Sequence, residues 1–165
     1  METRIDKLKH ELGDAVMKFS NLEALVTFLA TALMLETPDV CMGILGELSF
    51  RKKVDVLAAL LRARRMSVAD STRIDAALKL VYASEEGRNR LMHCTWGVGA
   101  KSDDDVFRMK PNTRGRSGFD FGFRSVAADE ITLVSAAIQK AIGALSDCAH
   151  SLQEQRLLRF NIMRK

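Results

Sequence analysis

Ile5, Leu12, Phe19, Val26 and Leu33 recur every seven residues, and Leu8, Ala15, Leu22 and Leu29 form a companion line. Two apolar lines at that spacing make the heptad seam of a helix that packs along one side. A further line, Leu25, Phe28, Ala32 and Leu35, widens the stripe in the second half, which is therefore expected to be the more deeply buried. Ser20 and Glu23 have the spacing of a capping box that would start a second helix. The seam passes through them without a phase change, so one long helix is expected, ended by Thr37-Pro38.

The rest of the chain continues the helical pattern. Residues 38–46 read as a short helix closed by Gly46. Phe50, Val54, Leu57 and Leu61 place a third helix over roughly 50–65, with Arg51, Lys52 and Lys53 on its polar face and Arg62, Arg64 and Arg65 at its end, where cations suit the helix dipole. Ser67 or Asp70 can cap a fourth helix running to about Trp96. Beyond Gly97 the character changes. Val106–Lys110 and Phe119–Phe123 alternate as paired strands would, and residues 111–118 between them are rich in turn formers. Asp129 opens a last helix, because Ile131, Val134, Ile138, Ile142, Leu145, Ala149 and Leu152 follow a period of about 3.6. The expected fold is all-α: an up-and-down bundle of four to five helices in one domain over 1–165, with a small β-hairpin inserted at about 104–124, before the last helix.

Bulk properties narrow the function classes. With 165 residues, 47% of them hydrophobic and 28% charged, the chain has the make-up of an ordinary globular domain. Its net charge of +4 suits an anionic partner without requiring one. The three cysteines, Cys41, Cys94 and Cys148, have no C-x-x-C spacing and an odd count, which points away from a disulfide framework and towards a reduced, cytoplasmic setting. Residues 1–10 are too charged for a signal peptide. The run Leu22–Leu35 reads as too short to span a bilayer, so no membrane association is expected.

The chemistry concentrates in Arg88-Asn89-Arg90-Leu91-Met92-His93, near the end of the fourth helix. Extending the packing line Ile74, Ala77/Leu78 and Val81 leads through Glu85 to Arg88 and Met92. An unpaired buried arginine is costly, so Arg88 must find a partner, for which Glu85 stands one turn away, or line a cleft. Tyr82, Glu86, Asn89 and His93 form a second, polar line. Arg88 and His93 differ by about 140° round an ideal helix. Either the long arginine side chain curls round, or the two residues meet across a symmetric partner helix. This geometry favours a site completed in a homodimer.

Arg-Asn-x-x-x-His at the end of a long bundle helix, with a further helix to follow, resembles the Arg-x(4–6)-His signature of the HEPN superfamily. The motif covers six residues, and the architectural likeness covers most of the chain. The resemblance implies a dimeric RNA-binding protein and metal-independent endoribonuclease chemistry leaving 2′,3′-cyclic phosphate ends. It implies His93 as general base or acid, since histidine ordinarily titrates near neutral pH. It implies Arg88 as the fork that stabilises charge on phosphorus, and Asn89 as the residue that orients His93 or bonds the phosphate. A toxin or phage-defence setting, with an antitoxin or regulatory protein as partner, goes with it. The alternative is a non-catalytic interaction or regulatory module of the same shape, in which the motif is structural.

Other residues offer less. Cys94 beside His93 has no second pair at ligand spacing, and His10 and His150 stand on other helices, so neither metal nor cofactor is expected. Trp96 reads as a packing residue that closes the helix end. Arg108, Lys110, Arg114 and Arg116 around the hairpin connection are candidate contacts to an RNA backbone, with a solvated turn as the plainer account.

Overall fold

A computed structural model describes residues 3–34, 36–64, 66–98, 106–112, 120–125, 129–155 and 157–158. Among these residues the chain forms five helices, with a small antiparallel sheet before the last: α1 Arg4–Leu33, α2 Pro38–Gly46, α3 Phe50–Arg62, α4 Val68–Met92, β1 Thr95–Val98, β2 Val106–Asn112, β3 Asp120–Ser125 and α5 Glu130–Glu154. Helix α1 packs on α3 and α5, and α4 closes the bundle by packing on both of them, while α2 lies against α1.

The heptad seam of α1 is the spine of the core. Ala15, Phe19, Leu22, Val26, Leu29 and Leu33 are buried, and they meet Val54, Leu57 and Leu61 of α3 and Ile138, Leu145 and Leu152 of α5 in one apolar cluster. The helix is continuous through Ser20 and Glu23, so no second start forms there. Thr3 caps it instead, accepting from the Asp6 N–H while Asp6 accepts from the Thr3 N–H. It stops at Leu33, earlier than Thr37-Pro38, because Met34 is already extended. The Arg64 guanidinium, arriving from the end of α3, donates to the Leu33 carbonyl that this leaves open. The widened stripe is only partly buried. Ala32 is covered, but Phe28 is 53% exposed, and Leu35 lies outside the described residues.

Taken whole, α1 is long and apolar enough to cross a membrane by length and composition alone, which corrects the view drawn from residues 22–35. A buried face that carries the centre of the bundle core accounts for the same composition.

Helix α3 is tied to α1 by a half-buried ion pair, Lys53 Nζ to Glu23 Oε1 at 2.7 Å. Ser67 caps α4 by accepting from the Asp70 N–H. Helix α4 ends at Met92, short of Trp96, and the chain turns at once into β1. The sheet therefore has three strands, in the order β1-β2-β3, where the alternation pattern indicated two. A four-residue strand containing Gly97 is too short to show a period in sequence. Its pairing explains the glycine: Gly97 faces Phe107, and a Cβ there would lie 2.6 Å from the Phe107 ring.

Candidate functional site at the end of helix 4

The packing face of α4 is not the one that large side chains suggest. Ile74, Ala77, Leu78 and Val81 are buried as expected, but the line continues through Ser84, Gly87 and Leu91 rather than Glu85, Arg88 and Met92. Small residues explain the shift. A Cβ on Gly87 would stand 3.2 Å from Val134 Cγ1 of α5, so its absence lets the two helices approach closely. The Ser84 hydroxyl turns inward, donating to the Leu80 carbonyl at 2.8 Å. With α4 set in this phase, Glu85 and Arg88 rotate to the edge of the α1–α3 side.

There the two residues part company. Glu85 takes Arg51 of α3, Oε2 to Nε at 3.4 Å, and Arg51 also lies over the Tyr82 ring at 4.6 Å. Tyr82 in turn donates to Asp55 Oδ1 at 2.8 Å, and burial together with that bond pushes its phenol pKa up. Arg88 is half-buried and has no carboxylate partner among the described residues. Its guanidinium stands 5.0 Å from the centre of the Phe19 ring, which is itself tilted against Phe50 with centroids 4.6 Å apart, and Nη1 donates to Asn89 Oδ1 at 3.0 Å. Phe19 was legible only as a seam residue; no local signal marks it as the platform for an arginine. The bond to Asn89 ties the guanidinium to the first residue after it on the polar line that Asn89 shares with His93.

His93 is the C-cap of α4, with φ −100° and ψ 34°, and is exposed. Its neighbours close the helix end. Trp96 Nε1 donates to the Leu91 carbonyl at 3.1 Å, and the Cys94 thiol donates to the same carbonyl at 2.9 Å. Trp96 is therefore anchored from β1 onto α4, and the imidazole beside it stays open to solvent.

Of the basic residues in and around the sheet, Arg108 is described. Arg108, opposite Trp96 in the ladder, is only 14% exposed and pairs with Glu130 at the start of α5, Nη1 to Oε1 at 2.6 Å. That ion pair fastens the sheet to the bundle. Arg114 and Arg116 lie outside the described residues, as does the side chain of Lys110.

A concavity opens between α1 and α5, an open groove of about 400 Å³ that reaches from His10 and Glu11 to Gln139. On its floor Lys18 Nζ meets Asp14 Oδ2 at 2.7 Å and donates to Ser135 Oγ at 2.9 Å, while Ser135 donates to Asp14 at 2.6 Å. The bonds from Lys18 and Ser135 hold the Asp14 carboxyl below the usual carboxylate range. The three form a closed triangle, with each charge answered inside it. Among the described residues, no group of three His, Cys, Asp or Glu side chains is placed to hold a metal ion. No family model, curated protein or solved structure matches the chain.

Proposed function

We propose that the chain is a HEPN-like, cytoplasmic RNA-binding protein that cleaves single-stranded RNA at Arg88, Asn89 and His93. The observation that carries this reading is the half-buried Arg88, which lies on Phe19 and is bonded to Asn89, with no carboxylate pairing it among the described residues. A guanidinium desolvated on one face and lacking an internal anion is suited to receive one from outside, and its planar fork matches a phosphate.

In the proposed reaction His93 takes the proton from the ribose 2′-hydroxyl. The 2′-oxygen then bonds to phosphorus as the bond from phosphorus to the 5′-oxygen breaks. The leaving oxygen takes up a proton, and the products carry a 2′,3′-cyclic phosphate and a 5′-hydroxyl. Arg88 stabilises the added charge on the phosphoryl oxygens, where one well-placed donor contributes roughly 3–4 kcal/mol. Asn89 positions Arg88 through its Oδ1.

The purified protein should cut single-stranded RNA in the presence of EDTA. Arg88→Ala and His93→Ala should each lose at least about a hundredfold of that activity, and a substrate with 2′-deoxyribose at the cut should resist. The contact of Arg88 with Phe19 also favours a second reading, in which Arg88 is a packing residue of a non-catalytic interaction module. In that case wild type and both variants are equally inert towards RNA, while Arg88→Ala still lowers stability.

A further inference from the structure

From Phe19 to Phe50 the chain holds no lysine, arginine or histidine, although it carries 25 lysines and arginines in 165 residues and a net charge of +4. Four carboxylates fall in that run: Glu23, Glu36, Asp39 and Glu47. Glu23 is answered by Lys53 of α3. Glu36, Asp39 and Glu47 are exposed, and none has an ion-pair partner among the described residues. The fold itself has a use for Asp39, which lies in the first turn of α2, where a negative charge suits the helix dipole. It has none for Glu47. That residue is the C-cap of α2, where a carboxylate opposes the dipole, and no basic residue stands in the last turn to offset it.

Helix α2 carries apolar surface beside these charges. Cys41 and Leu45 are buried, but Val40 is 47% exposed, Met42 53% and Ile44 51%. Val40 and Ile44 stand one turn apart on one flank of the helix. Asp39, Gly43 and Glu47, again four residues apart, form the crest next to them, and open space surrounds the position where a Gly43 Cβ would be. The nine residues of α2 thus leave more large apolar side chains outside than inside, next to carboxylates that nothing within the described residues answers.

We propose that this face of α2 docks a basic amphipathic segment of another protein, a short helix whose apolar residues lie on Val40 and Ile44 while its lysines or arginines meet Glu36, Asp39 and Glu47. Charge decides between occupants. Three unanswered carboxylates repel an RNA backbone and an acidic lipid surface alike, and a second copy would set the same carboxylates against each other across a two-fold axis. A cationic helix relieves that repulsion and covers the flank in one step, the mode in which helical partners are read at positions three and four apart. One helix on one flank covers less than an interface of standard size, which sets the dissociation constant at roughly 10–100 µM. The face shares no residue with Arg88, Asn89 and His93, so it stands without the nuclease reading.

The probe is a fluorescein-labelled peptide of leucine and lysine, about 14 residues long, with its leucines three and four apart so that one helical face is apolar. Fluorescence anisotropy with the full chain should show saturable binding in that range, weakening at least fivefold between about 50 and 300 mM KCl. A peptide of the same composition in scrambled order, and a leucine–glutamate counterpart, should bind at least tenfold more weakly. Asp39→Asn combined with Glu47→Gln changes exposed, unpaired carboxylates, so the melting curve should match wild type while the dissociation constant rises at least tenfold. Ile44→Ser should weaken binding as much. Asp75→Asn combined with Asp147→Asn removes the same charge from exposed positions on α4 and α5 and should bind as wild type does. A wild type that ignores the lysine peptide overturns the proposal, as does equal binding of the scrambled one. Equal loss in the two pairs of carboxylate variants overturns it too, because the attraction is then to the whole molecule. A dimer in sedimentation velocity that Ile44→Ser dissolves would make the occupant a second copy, and flotation with neutral lipid vesicles that Ile44→Ser abolishes would make it a lipid surface; either result overturns the proposal.

Discussion

Glu85 is claimed by Arg51, with Oε2 and Nε 3.4 Å apart, although Arg88 stands only one turn along the same helix. The choice follows from the phase of α4 against α3: Arg51 reaches across from the neighbouring helix and is braced on the Tyr82 ring, leaving Arg88 to lie on Phe19. The absence of a carboxylate at Arg88 therefore depends on a residue outside the hexapeptide.

Arg51→Ala should expose that dependence. It strands the Glu85 carboxylate, whose side chain is 14% exposed, and should cost roughly 1–2 kcal/mol in urea unfolding, the range for a partly buried charged partner. Freed Glu85 is one turn from Arg88 and would capture it, so RNA cleavage should fall well below wild type. Adding Glu85→Gln removes the stranded charge and should restore both stability and cleavage. If the double variant is no better than Arg51→Ala on either measure, Glu85 is not what Arg51 holds in check.

Acid should weaken the α1–α5 seam through Asp14. Hydrogen bonds from Lys18 and Ser135 lower its folded pKa, so the unfolded chain binds the proton more readily. The stabilisation is then fully present above the ordinary carboxylate range and is lost as pH falls through and below about 4. Asp14→Asn should be less stable than wild type at neutral pH, and the gap should close in melts taken towards pH 2 to 3. A difference that stays constant with pH would show that the carboxylate charge is not what matters there.

How far the sequence exposes this fold depends on side-chain size. The α1 seam, the α5 period and the Ser67 cap were legible because large apolar residues and a short polar one mark them at fixed spacing. The face of α4 was not, because its contact with α5 is made by Ser84 and Gly87, which carry no hydropathy signal, and close approach of two backbones leaves no trace in a wheel built on leucines. Strand β1 escaped for a similar reason, since Thr-Trp-Gly-Val is too short to declare a period and gains its identity from β2. At the candidate site, Arg88, Asn89 and His93 stood out as odd polar residues on a packing helix. Their supports, Phe19 below and Arg51 alongside, come from α1 and α3 and could be found only once those helices were brought together. Arg108 shows the reverse case: a basic residue in a basic stretch whose charge is answered by Glu130.

Gly87 sets the spacing of α4 and α5, and a graded series should report it. Alanine there gains about 1 kcal/mol of helix propensity but must push Val134 Cγ1 back from 3.2 Å, so Gly87→Ala should be close to neutral. Gly87→Val adds two more carbons with nowhere to go and should lose about 1–3 kcal/mol. Combining it with Val134→Ala should recover most of that loss, giving a coupling energy in a double-mutant cycle well above the error of the melts. Strict additivity of the two changes would mean that the helices do not touch at this point.

The thiols offer a probe of the end of α4 that does not depend on turnover. Cys41 is fully buried and Cys148 is 3% exposed, with burial pushing the Cys148 thiol up and so depleting its reactive thiolate at neutral pH. Cys94, between His93 and the sheet, is partly exposed. A disulfide reagent such as DTNB should therefore titrate one fast thiol in the native protein, absent from Cys94→Ser, with the other two appearing only on unfolding. RNA seated against Arg88 and His93 would cover Cys94, so a non-cleavable 2′-deoxy oligonucleotide at saturating concentration should slow the fast phase several-fold in wild type and leave it unchanged in Arg88→Ala. Equal protection in both proteins would place the bound nucleic acid elsewhere on the molecule.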